Sequence, residues 1–293
     1  MAAAAVAPRM NPPEAYYIRI RTAADHLEPV LLEIVAPLLR DLDTHPHLES
    51  AYFARYRTEA LLFVLGEKDF LEGWVRPRVE GEAEAFRERG AVESWVYPEY
   101  VPEIDRYGGE EGMRLAGRIF QADSRACLST MDGDRRGLLA KSRREWSLVL
   151  TERLLDLLQF DSVRRTSFYR YSYDWAIEQG IWQRDEFRLL EERYQGLKDG
   201  LLNLLRGCAT TDPATYGGEE PARVARDWIE DTRPFTDRLL RAHADGLVRQ
   251  DLVHLAWSYA HMHCIRLGIT GNAEAVLRYL MHRLYEDGFG RDA

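Results

Sequence analysis

Two stretches of the chain carry side chains able to move protons and to grip charged or carbonyl groups. The first is Val101-Pro102-Glu103-Ile104-Asp105-Arg106-Tyr107-Gly108-Gly109-Glu110-Glu111-Gly112-Met113. It offers two acids and an arginine, a Tyr-Gly-Gly corner, then two glutamates where a helix N-terminus favours negative charge. Pro102 fixes one φ and pushes the residue before it toward extended geometry. Gly108 and Gly109 permit positive φ or close approach by another backbone. Such a run aims polar side chains where a strand gives way to a helix. A turn with a solvated Glu-Arg pair is the plainer reading of the same residues.

The second stretch is late in the chain. His254, Ser258 and His261 fall at i, i+4 and i+7, and Tyr259, His263 and Arg266 form another polar stripe. The residues between them, Leu255, Ala256, Trp257, Ala260, Met262, Cys264 and Leu267, are apolar nearly all round. A helix of that kind is largely buried, so its histidines and arginine need partners or a wet cavity. A histidine in a buried cleft is suited to proton transfer near neutral pH; a hydrogen-bonded core histidine fits the pattern equally. His261, His263 and Cys264 do not spell a metal site. Helical residues two apart point roughly 200° from each other, and no second ligand pair stands out.

Two smaller groups accompany these. Asp123-Ser124-Arg125 lies 13 residues past Glu110, on an exposed helix face with local ion pairs or on a face turned to a ligand. Tyr169, Tyr171 and Tyr173 alternate with Arg170 and Ser172, and either line a peptide groove or form an aromatic packing seam.

The elements that must position these groups follow from periodicity. Residues 16–21, 50–57, 60–65 and 93–100 read as strands, and 28–42 and 70–89 as helices, with Pro37 expected to kink or shorten the first. The order is β-α-β-β-α-β, a ferredoxin-like split arrangement. A helix over 110–131 leads out of the motif. Helices are expected over 138–160, 187–205, 222–240, 247–269 and 273–285, with a long Gly/Thr/Pro loop at 207–221. The fold class is α+β: a sheet module with its motif helix over 14–131, and a helical bundle over 132–293 packed on it as one catalytic unit.

Composition excludes several functions. At 293 residues with 46% hydrophobic and 30% charged content, the chain reads as globular. No apolar run approaches the roughly 20 residues of a membrane span, and the Ala/Pro-rich start reads as a loose tail, not a signal peptide. Three cysteines, odd in number and widely spaced, fit a reducing cytoplasm. A net charge of −9 disfavours nucleic-acid binding. No P-loop, dinucleotide, nucleophile-elbow or zinc-protease signature is present, so no cofactor is expected.

Three motifs in order, Tyr52-Phe53-Ala54-Arg55-Tyr56-Arg57, Tyr100 to Gly109, and Ser258 to Leu267, resemble the lantibiotic-dehydratase C-terminal family, also called the thiopeptide-type bacteriocin biosynthesis domain. The resemblance runs from about Tyr16 to about Tyr285. It implies a modified ribosomal peptide, leader plus core, as substrate. In eliminating members the domain removes glutamate from glutamylated Ser or Thr; the motif arginine then corresponds to Arg106 and the histidine before methionine to His261. Those members carry a His-Leu-Arg-x-Arg strand to hold the glutamyl group, where this chain has Ala60-Leu61-Leu62-Phe63-Val64-Leu65, and Ile265 replaces their asparagine. An apolar side chain cannot make the bidentate carboxylate contact of an arginine.

A sister branch, the stand-alone thiopeptide pyridine synthases, needs no glutamate pocket. It joins two dehydroalanines of an azole peptide by a formal (4+2) aza-cycloaddition, loses water and expels the leader as an amide. Held in near-attack geometry, reacting groups gain about 7–11 kcal/mol from approximation alone. The expected catalytic set is Glu103, Arg106, Ser258, Tyr259 and His261, with Tyr259 or His261 moving protons. Tyr107, Tyr171, Tyr173, Asp123, Ser124, His263 and Arg266 are expected to contact the peptide. A split glutamate-elimination lyase and a non-catalytic leader-binding subunit are the alternatives. The oligomeric state is open, a homodimer included.

Overall fold

The computed structural model describes residues 14–23, 25–181, 186–207, 212–269 and 271–290. The expected loose tail over 1–13 and residues 208–211 of the expected 207–221 loop therefore lie outside the described residues. Two compact units are present: one runs to Phe53 and resumes over Arg57–Val101, the other takes Ala54–Tyr56 and everything from Pro102 onward. The motif turn and the helix after it, expected with the sheet, thus cluster with the helical unit.

The first unit contains β1 (Glu14–Thr22), α1 (Leu27–Val30), a π turn (Leu31–Val35), α2 (Ala36–Leu42), β2 (Leu48–Tyr56, whose last three residues count with the other unit), β3 (Glu59–Gly66), α3 (Lys68–Phe70), a second π turn (Leu71–Val75), α4 (Arg76–Glu88) and β4 (Val92–Val96). The strand order is β2-β3-β1-β4, with β1 antiparallel to β3 and to β4. Alternation does the sorting: Ile18 and Ile20 oppose Leu62 and Ala60 and are fully buried. On the other face Tyr17, Phe63 and Tyr52 stack across three strands with centroids 4.8 and 4.9 Å apart. β4 stops at Val96, short of Tyr100, and Pro98 beyond it has no N–H for a ladder.

Pro37 does not shorten its helix. Each helical run of this unit takes a π turn immediately before a proline-containing stretch, and in each the residue preceding the proline, Ala36 or Arg76, donates to the carbonyl five back, Leu31 or Leu71. The widened turn accommodates a ring that has no N–H and would crowd the carbonyl four back.

The second unit is helical: α5 (Glu110–Arg135), α6 (Arg143–Leu157), α7 (Ser162–Glu178), α8 (Phe187–Gly207), α9 (Pro213–Tyr216), α10 (Glu219–Ala244), α11 (Leu252–Leu267) and α12 (Asn272–Glu286). α10 packs along α5, α12 along α7, and α11 touches α5, α6 and α7. α6 starts at a Ser142/Glu145 capping box and α7 at Asp161, which accepts from Arg164 N–H. α9 occupies part of the expected loop, capped by Asp212. α11 begins five residues later than its periodicity suggests, because Asp251 accepts from the N–H groups of Val253 and His254. Gly268, in the left-handed region at φ 77°, ends it. No described helix is long and apolar enough to cross a membrane.

Candidate active site

Two glycines fix the motif. At Gly108, with φ 80°, a Cβ would meet the Gln250 backbone nitrogen at 2.6 Å; at Gly112 it would meet the Tyr107 carbonyl oxygen at 1.8 Å. The Gly108 carbonyl accepts from Arg249 N–H at 2.9 Å, pinning the corner to the segment that enters α11. That anchorage brings Arg106 to the second motif: its Nε donates to Ser258 Oγ at 3.1 Å, and its Nη1 donates to both Glu103 carboxylate oxygens at 3.1 and 3.2 Å.

The stripe His254, Ser258, His261 finds a partner on a different element at each step. His254 Nδ1 and Tyr171 Oη of α7 are 2.9 Å apart, Ser258 accepts from Arg106, and His261 Nδ1 lies 2.8 Å from Glu274 Oε2 of α12. Trp257 links the row. The Arg106 guanidinium lies 5.6 Å from its ring centroid, the His261 ring stacks on it at 5.4 Å and 8°, and Trp175 tilts against both. Burial, and next the Arg106 charge, lower the His254 pKa below its ordinary value. Burial raises that of Tyr171. The arrangement combines a fixed cation, a hydroxyl and a carboxylate-held imidazole beside aromatic walls, a set able to orient carbonyls and relay protons.

The stripe Tyr259, His263, Arg266 turns the other way, into the core against α5. Asp123 holds His263 Nδ1 at 2.7 Å through Oδ1 and accepts from Arg266 Nη1 at 2.8 Å through Oδ2; His263 is 4% exposed and Arg266 0%. Ser124 is fully buried beside them on α5. Asp123 is therefore not on an exposed face with local pairs. Burial alone would raise its carboxyl pKa, but His263 and Arg266 outweigh that and hold it below the ordinary value. Tyr259 is wedged between Tyr107 and Phe120, at 5.8 Å from each ring. Burial pushes its hydroxyl pKa well up.

The tyrosines of α7 divide, since helical neighbours two apart face different ways while Tyr169 and Tyr173, four apart, share the face toward α12. Tyr169 donates to the buried Glu152, Tyr171 reaches His254, and Tyr173 packs on Tyr279 and His282 of α12. The structure brings Glu103, Arg106, Tyr171, Ser258 and His261 around Trp257, while Tyr107 and Tyr259 stack on each other and Asp123, His263 and Arg266 engage one another in the core. Glu274, Trp257 and Trp175 were not singled out as site residues. Glu274 meets His261 across a helix–turn–helix boundary that periodicity does not span.

Asp123, Cys127 and His263 place donor atoms within 4.8 Å of one another. They do not make a metal site: both Asp123 oxygens and His263 Nδ1 are hydrogen-bonded, the Arg266 cation adjoins them, and burial pushes the Cys127 thiol pKa well up. A separate cavity of about 630 Å³, lined among others by Glu152, Arg165, Lys198 and Tyr285, includes none of the expected residues.

Comparisons with known proteins follow this geometry. The family model described as lantibiotic biosynthesis dehydratase C-term matches residues 16–285. A search of curated proteins finds no match. Among solved structures, the tRNA-dependent lantibiotic dehydratase MibB from Microbispora sp. 107891 aligns with TM-score 0.71 and 19% identity over 98% of this chain and 29% of its own, so this chain spans under a third of MibB. The pyridine synthase TbtD from thiomuracin biosynthesis aligns with TM-score 0.67 and 16% identity over 94% of this chain and 99% of its own. TsrL aligns with TM-score 0.63 and 17% identity over 96% of each chain. At these identities the structures share a fold; the match over nearly the whole chain makes this protein a member of the lantibiotic dehydratase C-terminal family.

Proposed function

We propose that the protein is a thiopeptide pyridine synthase, closing two dehydroalanines of a leader-bearing azole peptide into a six-membered nitrogen ring. The observation that carries this reading is how the cations are engaged. Arg106 is bonded through Nε and Nη1 to Ser258 and Glu103, and the sequence carries Ala60-Leu61-Leu62-Phe63-Val64-Leu65 where eliminating relatives are expected to carry arginines. A glutamate-eliminating site needs an arginine available to the departing carboxylate.

In the proposed sequence, one amide tautomerises to its imidic acid, giving an azadiene that adds to the second alkene and forms two new C–C bonds, the two alkene Cα–Cβ bonds supplying the rest of the ring's carbon frame. Loss of water and then of the leader as its carboxamide aromatises the ring. His261, held at Nδ1, takes and returns the protons. Ser258 and Arg106 orient the carbonyl that becomes hydroxyl, and Trp257 and Trp175 offer faces for azole rings. Tyr259 backs the site as a buried wall, and Tyr107 stacks on it. The peptide is the partner, and cytoplasmic action suits a ribosomal substrate and the unpaired Cys127 and Cys264. The strand order β2-β3-β1-β4 supports assigning the first unit to the ferredoxin-like class.

The test is incubation of the purified chain with a bis-dehydroalanine azole peptide bearing its leader, followed by mass spectrometry. The expected products are the pyridine macrocycle and free leader amide. Release of glutamate from a glutamylated peptide would establish the lyase instead, and leader binding without turnover, indifferent to His261→Ala, the binding subunit.

A further inference from the structure

Glu274 lies in the first turn of α12, where a helix N-terminus favours a carboxylate, and it is buried. Its two oxygens face two different groups. Oε2 is 2.8 Å from His261 Nδ1, and Oε1 is 3.5 Å from Arg278 Nη2. Arg278 is itself buried and donates also to Thr151 Oγ1 and Cys264 Sγ. The His261 ring cannot turn freely, being stacked on Trp257 with Trp175 beside it.

From this geometry we infer that Glu274 is a positioning residue that keeps the His261 proton on Nδ1 and leaves Nε2 as the ring's basic nitrogen. The inference rests on the reading that His261 moves protons, but its physical core is independent of any substrate. A carboxylate only accepts, so the nitrogen facing it must carry hydrogen. In the neutral imidazole the other nitrogen is then the acceptor.

Arg278 gives this arrangement a sharp consequence. A guanidinium only donates. In Glu274→Gln the amide oxygen must therefore turn to Arg278, which presents the amide NH2 to His261. An NH2 needs an acceptor at Nδ1, so the proton moves to Nε2 and that nitrogen ceases to be basic without the ring leaving its place. Removing the arginine as well frees the amide to rotate. In Glu274→Gln/Arg278→Met the oxygen faces Nδ1 again and the original tautomer returns.

The test is nitrogen NMR of the full chain labelled at histidine, with His261 assigned by its loss in His261→Gln, at a pH where neutral imidazole dominates. The expected result is a protonated Nδ1 in the natural chain, a protonated Nε2 in Glu274→Gln, and return to Nδ1 in the double variant. Thermal melting confirms that each variant is folded. A protonated Nε2 in the natural chain, or a tautomer unmoved by Glu274→Gln, overturns the inference. With the bis-dehydroalanine substrate, kcat should fall on the order of 10⁴-fold in Glu274→Gln, as where a triad histidine is held in the wrong tautomer. KM should change little, and the double variant should recover turnover. If the tautomers behave as stated but the natural chain forms no pyridine, the positioning stands and the proposed reaction falls.

Discussion

At the scale of single residues, the late helix separates polar groups that meet the motif turn, α7 and α12 from polar groups that close on α5. Asp123 is the α5 partner of the second kind. Replacing it by alanine leaves a buried guanidinium and a buried imidazole without their carboxylate, an expected loss of about 3–5 kcal/mol, measurable by chemical denaturation. The pH dependence follows from the sign of its shift. The carboxyl pKa is lower in the folded chain than the roughly 3.9 of an unfolded aspartate. Its contribution is thus complete above that unfolded value and disappears as pH falls through the folded one. The natural chain should lose stability over this acid interval, and Asp123→Asn should lack that part of the slope. Tyr259→Phe makes the opposite case. The Tyr259 hydroxyl, His263 Nε2 and Trp228 Nε1 are buried without hydrogen-bond partners among the described residues, and the three side chains line one void of about 10 Å³. Deleting an unsatisfied hydroxyl should leave the melting temperature unchanged or raised. Turnover should survive it while His261→Ala abolishes turnover; the reverse pattern would make Tyr259 the proton carrier. The polar stripes themselves were legible, because i, i+4, i+7 spacing is a property of the helix alone. Which neighbour each stripe meets was not, because that depends on α5 offering Asp123 to one stripe while α7 and α12 offer Tyr171 and Glu274 to the other.

At the scale of elements, the motif turn and α11 act as one support. Gly112→Ala would drive a methyl into the Tyr107 carbonyl oxygen, whose 1.8 Å separation from the added Cβ leaves backbone movement as the only relief. Ordinary core overpacking costs about 1–3 kcal/mol, and a clash with a carbonyl in the first helical turn should exceed that range; equilibrium unfolding reads it directly. Asp251→Ala removes the side-chain oxygen that accepts from Val253 and His254 N–H. The expected cost is about 1 kcal/mol. Because Ser258 and His261 ride on this helix, turnover should fall more steeply with temperature in that variant than in the natural chain. The start at Asp251 was not read from the sequence, because the apolar residues Leu247 and Val248 before it extend the periodic run. α7 was missed for a related reason. Its alternating tyrosines mimic a period of two, whereas the buried residues Phe168, Tyr169, Ser172 and Ala176 keep helical spacing behind an Asp161 cap.

At the scale of the whole molecule, the charge balance carries its own prediction. With −9 net charge the chain should not be retained on duplex nucleic acid at about 0.15 M salt, because too few phosphates would be neutralised to release counterions; retention on such a column would reverse the exclusion. The sequence by itself determined the local order: strands by alternation, helices by periodicity, the glycine corner by residues whose backbone no other type tolerates, and the three motifs that mark the family. It could do so because each of those signals is carried by neighbours along the chain. Only the tertiary structure decided that the motif helix belongs with the helical unit, that Asp123, His263 and Arg266 close on one another in the core, and that Glu274 and Arg278 stand behind His261. Those choices depend on contacts between residues far apart in the chain or across a turn, where a buried charge must find its partner and only packing determines which partner is within reach.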